Sequence, residues 1–131
     1  MKKTLSIILV MLLFVAMIAP VAAATPRFTY TQSIYAYLDI DTTWGVATCV
    51  GEVIADNNVP VKLVMYLQVY RNGGWETVKT WESTGNYSAH LSKVYAIYKG
   101  YEYRTYCVGY VYNSNNAIVE IVDVYDSEWY T

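Results

Sequence analysis

The chain carries one histidine, His90, and two cysteines, Cys49 and Cys107, so any nucleophilic chemistry must be built from few parts. A serine or cysteine nucleophile needs a neighbouring base to take its proton. His90 lies in SAHLSKVYAI (88–97), where Ser88 and Ser92 share its alternation, which reads as a solvent-facing strand position. No G-x-S-x-G elbow accompanies it. Zinc needs three or four clustered His, Cys or carboxylate ligands, and no such spacing occurs. DIDTTWG (39–45) places Asp39, Asp41 and Gly45 like the start of a calcium loop, but Val50 stands where the closing glutamate belongs. A polar turn at a strand end is the expected reading there. Paired carboxylates can hydrolyse sugars. Glu120 and Asp123, however, have odd spacing and fall on opposite faces of a strand, while Asp126 and Glu128 sit in a tail expected to fray. A solvated acidic surface is expected for them. No cofactor motif is present, and neither cofactor, metal nor catalytic residue is expected.

What remains conspicuous is aromatic. GYEYRTYCVGYVYN (100–113) holds five of the chain's 15 tyrosines around Cys107. Tyr and Val favour strands, and alternation of period two runs through nearly all of the chain after residue 30. Seven strands are expected, at 33–40, 44–54, 60–70, 75–83, 88–97, 101–112 and 117–125. Turn chemistry separates them: ADNN (55–58), NSNN (113–116) and, most clearly, the Asn-Gly of RNGG (71–74), a strong hairpin signal. Seven short antiparallel strands predict an all-β sandwich of two sheets.

The N-terminus is a different kind of segment. Lys2 and Lys3 precede an apolar run from Leu5 to Ile18, and Ala22 and Ala24 are the small residues a signal peptidase reads. This predicts a secretory signal peptide over 1–24, cleaved after Ala24. The run is shorter than the ~20 residues that span a bilayer. Residues 25–131 are then a single sandwich domain, secreted and free of the membrane. Without Lys2 and Lys3, 7 of the 9 basic residues face 11 acidic ones, and no basic run exists. That argues against nucleic acid and anionic membrane as partners. In an exported protein, Cys49 and Cys107 are expected to form one disulfide. It would close a loop of about sixty residues, worth roughly 4 kcal/mol in the chain-entropy model.

Parity then sorts the side chains. If Cys107 faces the core, then Tyr101, Tyr103, Thr105, Gly109 and Val111 do too, and Tyr106, Tyr110 and Tyr112 face out. On the third strand, Val61, Leu63, Met65, Leu67 and Val69 form the core row, leaving Tyr66 and Tyr70 outside. If the third and sixth strands are neighbours, Tyr66, Tyr70, Tyr106, Tyr110 and Tyr112 form one outer patch, rimmed by Gln68 and Arg104. It is expected to be either cross-strand aromatic pairing or a platform for a ligand. Trp75 and Trp81, six apart, share a face unless a bulge intervenes, and are further binding candidates.

The cysteines fall on the second and sixth strands, where immunoglobulin-type domains place their bridge. The stretch IYKGYEY, with Ile97, Gly100 and Tyr103, resembles the corner of fibronectin type III domains, in which a tyrosine hydroxyl ties to nearby backbone. Leu63 or Met65 stands where such domains have a core tryptophan. The layout of signal peptide, ATPR, YLQVYRNGGWETVKTW, KGYEYR and cysteine resembles a family of small exported Gram-positive bacterial proteins of unknown function. These resemblances imply an immunoglobulin-like or fibronectin-like sandwich. The function expected from the residues is a non-enzymatic binding or adhesion module that contacts an extracellular glycan or protein. The alternatives are a structural, self-associating extracellular protein and a small hydrolase with an unrecognised site.

Overall fold

The computed structural model describes residues 28–56 and 58–131. The expected signal peptide, its cleavage site and the ATPR motif lie outside the described residues. Seven strands follow one another: β1 (Thr31–Asp41), β2 (Val46–Ala55), β3 (Pro60–Arg71), β4 (Gly74–Asn86), β5 (Ser88–Ala96), β6 (Tyr101–Tyr112) and β7 (Ile118–Tyr130). No helix occurs among the described residues. All pairings are antiparallel. One sheet has the order β1-β2-β5, the other β4-β3-β6-β7. The turn after β3 has Asn72 and Gly73 both at positive φ, 57° and 83°, as an Asn-Gly hairpin requires.

The core lies between the sheets and is built from unequal halves. On β3 the row Val61, Leu63, Met65, Leu67 and Val69 is at most 1% exposed. The facing row of β2 is small: Ala47, Cys49, Gly51, Val53 and Ala55. Large side chains of one sheet fill the space that small ones leave on the other. Each buried Leu or Met contributes roughly 1.5–3 kcal/mol. Gly51 shows how tight the fit is, since a Cβ there would stand 2.5 Å from Cys107 Sγ and 3.2 Å from Met65 Sδ.

That fit corrects the expected disulfide. Cys49 and Cys107 are both buried, as parity predicts, but they are free thiols. Cys107 Sγ is lodged in the hollow over Gly51, two residues along the strand from Cys49. Burial pushes the Cys107 thiol up to about 12, with the neighbouring Cys49 adding to the effect. Burial also raises Cys49, partly offset by the Thr105 hydroxyl. Thr105 Oγ1 is itself buried without a well-aligned hydrogen bond, its contact with Cys49 being of the weak sulfur kind.

The corner of the sandwich is tied by Tyr103. Its hydroxyl accepts from the Tyr98 amide at 3.0 Å and donates to the Tyr98 carbonyl at 3.1 Å. The expected frayed tail is instead the end of β7. Tyr130 is buried, and its carbonyl accepts from Gly100 N–H at 2.7 Å.

The two long sides of the sandwich close differently. Along β1 and β7, carboxylates do the work. Glu120 accepts from the amides of Thr29, Tyr30 and Thr31 at 2.7, 3.0 and 2.7 Å, and from the Thr31 hydroxyl at 2.7 Å. Asp126 accepts from Leu38 N–H at 3.0 Å and Glu128 from Ile40 N–H at 3.3 Å. Along β4 and β5, Trp81 meets Tyr95 edge to face, with ring centroids 6.3 Å apart.

Candidate functional site: the outer aromatic face

Strands β3 and β6 are neighbours, in a register that pairs Tyr66 with Tyr106, Gln68 with Arg104 and Lys62 with Tyr110. Their outward side chains therefore share one face, as parity requires. Strand β7 adds Ile121, Asp123, Tyr125 and Trp129 to it, opposite Tyr110, Val108, Tyr106 and Glu102. Strand β4 adds Trp75, opposite Tyr70.

Arg104 is the hub. Its guanidinium carbon lies 4.5 Å from the ring centre of Trp75, 4.7 Å from Tyr106 and 4.9 Å from Tyr125. Its Nε donates to Gln68 Oε1 at 2.7 Å, and Gln68 Nε2 donates to Thr77 Oγ1 at 3.1 Å. Burial lowers the Arg104 pKa, opposed by Tyr106, Tyr125, Asp123 and Glu102. A guanidinium remains a cation regardless. Three rings around a half-buried cation are worth roughly 0.5–2 kcal/mol each.

Tyr106 stacks on Tyr66, with centroids 5.8 Å apart, and its hydroxyl donates to Asp123 Oδ2 at 2.7 Å. Burial, then the hydrogen bond to Asp123, raises its pKa, so it stays a neutral phenol. Tyr70 meets Trp75 edge to face at 5.2 Å. Lys62 reaches Glu82 at 3.5 Å and lies 6.0 Å from the ring centre of Tyr110. Beneath these side chains Val64 and Val108, although outward by parity, are only 6% and 8% exposed. The face thus has a small core of its own. It is pre-organised, and the rings of Trp75, Tyr106, Tyr125 and Tyr66 already have a neighbour against them.

Six of the seven residues that the sequence points to lie on this outer side of the sheet. Tyr66, Tyr106 and Trp75 join the Arg104 hub, Tyr70 leans on Trp75, and Tyr110 lies beside Lys62. Tyr112 stands at the far end and lines a cavity of about 430 Å³ with Pro60, Lys62 and Asn86. Trp81 does not belong there. The register slips between Leu67 and Gln68, leaving Val78 as an extra residue, so Trp75 faces out while Trp81 pairs with core-facing Met65. The inward Trp81 packs against the core. Sequence reasoning missed Tyr125 and Trp129. Alternation with Val122 and Val124 already places Tyr125 outside within the expected strand 117–125, and would have reached Trp129 had that strand been carried further.

The other candidates are placed as follows. His90 is exposed on the outer face of the three-stranded sheet, paired with Glu52. Cys49 faces the core, on the other side of that sheet. Asp41 Oδ1 accepts from the amides of Thr43 and Trp44 at 2.9 and 3.2 Å, and Gly45 has φ 66°, which makes this a side-chain-capped turn. Among the described residues no group of three His, Cys, Asp or Glu could hold a metal ion. A second aromatic pair that sequence reasoning did not single out, Tyr35 and Tyr37, stacks at 6.4 Å on the outer three-stranded face. No protein-family model, curated protein or solved structure matches this chain.

Proposed function

We propose that this is an exported, non-enzymatic binding module with an immunoglobulin-like or fibronectin-like sandwich, which contacts an extracellular protein through the outer face of β4-β3-β6-β7. The strand order and the Tyr103 corner support the fold assignment. The observation that carries the function is the Arg104 hub. Trp, Tyr and Arg are the residues that dominate binding energy at protein interfaces. Here they are held in fixed geometry before any partner arrives, which lowers the entropic cost of contact.

A glycan platform needs ring faces open to the sugar. On this surface Arg104 lies against Trp75, Tyr106 and Tyr125, and Tyr66 stacks on Tyr106, which favours a protein partner. The exposed apolar surface around the hub, Tyr70 at 44%, Ile121 at 58% and Trp129 at 58%, would supply the buried area.

The test is binding of the labelled protein to cells of its source. Arg104→Ala or Tyr106→Ala should weaken binding about thirtyfold, the loss of a hot spot worth about 2 kcal/mol. Tyr110→Ala should weaken it less, and Tyr35→Ala on the opposite sheet should not. Protease treatment of the cells should abolish binding, and soluble glycans should not compete. Competition by a soluble glycan would replace the protein reading with a glycan one. Unchanged binding in Arg104→Ala would remove the face altogether.

A further inference from the structure

The open side of the sandwich, between β4 and β5, has features that neither folding nor the outer face accounts for. Both strands are sheet edges, β4 pairing with β3 alone and β5 with β2 alone. Past the Trp81–Tyr95 contact the sheets part around a cavity of about 300 Å³. Val69, Val78, Tyr95, Ile97 and Tyr103 wall it, and Arg71 and the exposed Tyr98 also line it. That volume is at the low end of the range for ligand pockets, about 300–1,000 Å³.

Two lysines belong to the edge strands of this seam, beside the cavity rather than in its lining. Lys79 is in register with core-facing Leu67, and Lys93 with core-facing Cys49. Parity therefore puts both on the core side of an edge strand, yet both are exposed. Their ammonium groups must leave through the seam, with their stems along it. Of the nearby carboxylates, Glu76, in register with Val69, is paired with Arg71 at the cavity itself at 2.7 Å and offsets that cation, and Glu82 is paired with Lys62 at 3.5 Å. Besides Lys93, the basic and acidic side chains of β5 and its neighbour β2 are His90 and Glu52, opposite each other on the outer face, while Tyr95 and Cys49 lie on the core side. The seam thus combines an apolar slot with two exposed lysines and one ion pair, Arg71–Glu76, whereas the side formed by β1 and β7 carries carboxylates alone.

We propose that the β4/β5 seam is a docking groove for an extended, acidic segment of a partner protein, one bulky apolar side chain of which fills the cavity. Charge complementarity selects an acidic ligand. The apolar walls select a peptide over an acidic sugar, which has no side chain to fill them. The free edge of β5 offers main-chain pairing to an extended strand. This site is separate from the Arg104 face and stands or falls independently of it.

The probes are an octapeptide alternating Glu and Leu, the same peptide with Ser for Leu, and an octasaccharide of hyaluronan. Each is titrated into the full isotope-labelled chain, recovered as its host processes it, with amide and indole NMR shifts as the readout. The Glu-Leu peptide should shift Trp81, Tyr95 and Ile97 saturably. Its affinity should fall with added salt and by about tenfold in the Lys79→Glu, Lys93→Glu double variant, whose exposed changes leave the fold intact. Val78→Leu, at the half-buried bulge position on the cavity wall, should weaken it with an unchanged near-ultraviolet dichroism spectrum. Equal binding of the Glu-Ser peptide, tighter binding of the hyaluronan probe, or no effect of charge reversal would each overturn the proposal. So would sedimentation showing a second copy of the chain in the groove.

Discussion

The two long sides of this sandwich solve the same problem by opposite means. Along β1 and β7, the acidic side chains of one edge strand accept the free amides of the other. Those amides would otherwise be unpaired at a sheet edge, where they template aggregation. Along β4 and β5, two aromatic rings lean together, and the strands then separate around an apolar cavity. The first side is closed by directional bonds with charged acceptors, each stronger than a neutral hydrogen bond. The second is closed by shape and leaves a slot. A carboxylate on the core side of an edge strand is therefore not misplaced when the opposing sheet presents amides to it. The polar side is suited to sealing the fold and the aromatic side to opening.

The largest expected break in this comparison is on the aromatic side. Trp81→Ala removes the ring that bridges the seam and packs on the core, and should cost about 3 kcal/mol, since half-buried aromatics fall at the low end of core truncations. Urea unfolding followed by tyrosine fluorescence would read it as a lower midpoint with an unchanged slope. On the polar side, Glu120→Ala leaves the acceptor sites of Thr29, Tyr30 and Thr31 empty and should cost about 2 kcal/mol, because water can reach part of this edge. If Glu120→Ala proved costlier than Trp81→Ala, the carboxylates would be the main clasp of the sandwich.

Acid should separate the sides without mutation. Burial raises the Glu120 pKa, but its bonds from the Thr31 hydroxyl and the amides of Thr29, Tyr30 and Thr31 outweigh that and lower it. A folded-state value below the unfolded one, about 4.3 for glutamate, means that its stabilisation is present above that pH. It is lost as pH falls through the depressed folded value. The thermal unfolding midpoint should therefore fall as pH drops below about 4, with Glu120→Gln giving a flatter profile. Trp81→Ala should keep the wild-type pH dependence, because no titrating group is lost with the ring.

How far the sequence foretold this depends on whether alternation alone decides a position. Parity from Cys107 placed Tyr66 and Tyr106 on one outer face and Leu63 and Met65 in the core, and the pairing of β3 with β6 agrees. Parity failed at Trp81 because the extra residue, Val78, is invisible in a pattern of alternating polar and apolar side chains. The end of β7 was missed because DSEWYT looks like a solvated tail. Its Asp126 and Glu128 find amides on β1, and its Tyr130 finds Gly100, which are contacts between residues far apart in the chain. The disulfide was an inference from compartment. The structure has free thiols because Gly51 offers Cys107 a hollow that only the packed sheets create.

The smallest effect sharpens the comparison most. Asp126→Asn preserves an oxygen that can still accept from Leu38 N–H and removes only the charge. A solvent-screened charge of this kind is worth about 0.5 kcal/mol or less, so the urea midpoint should scarcely move, and added salt should erase what difference exists. Asp126→Ala removes the acceptor itself and should cost about 1 kcal/mol that salt does not restore. If Asn instead proved as damaging as Ala, the β1 edge would be held by charge rather than by hydrogen bonding. The acidic side would then be the electrostatic counterpart of the lysine-bearing one, and raising salt would loosen both sides together.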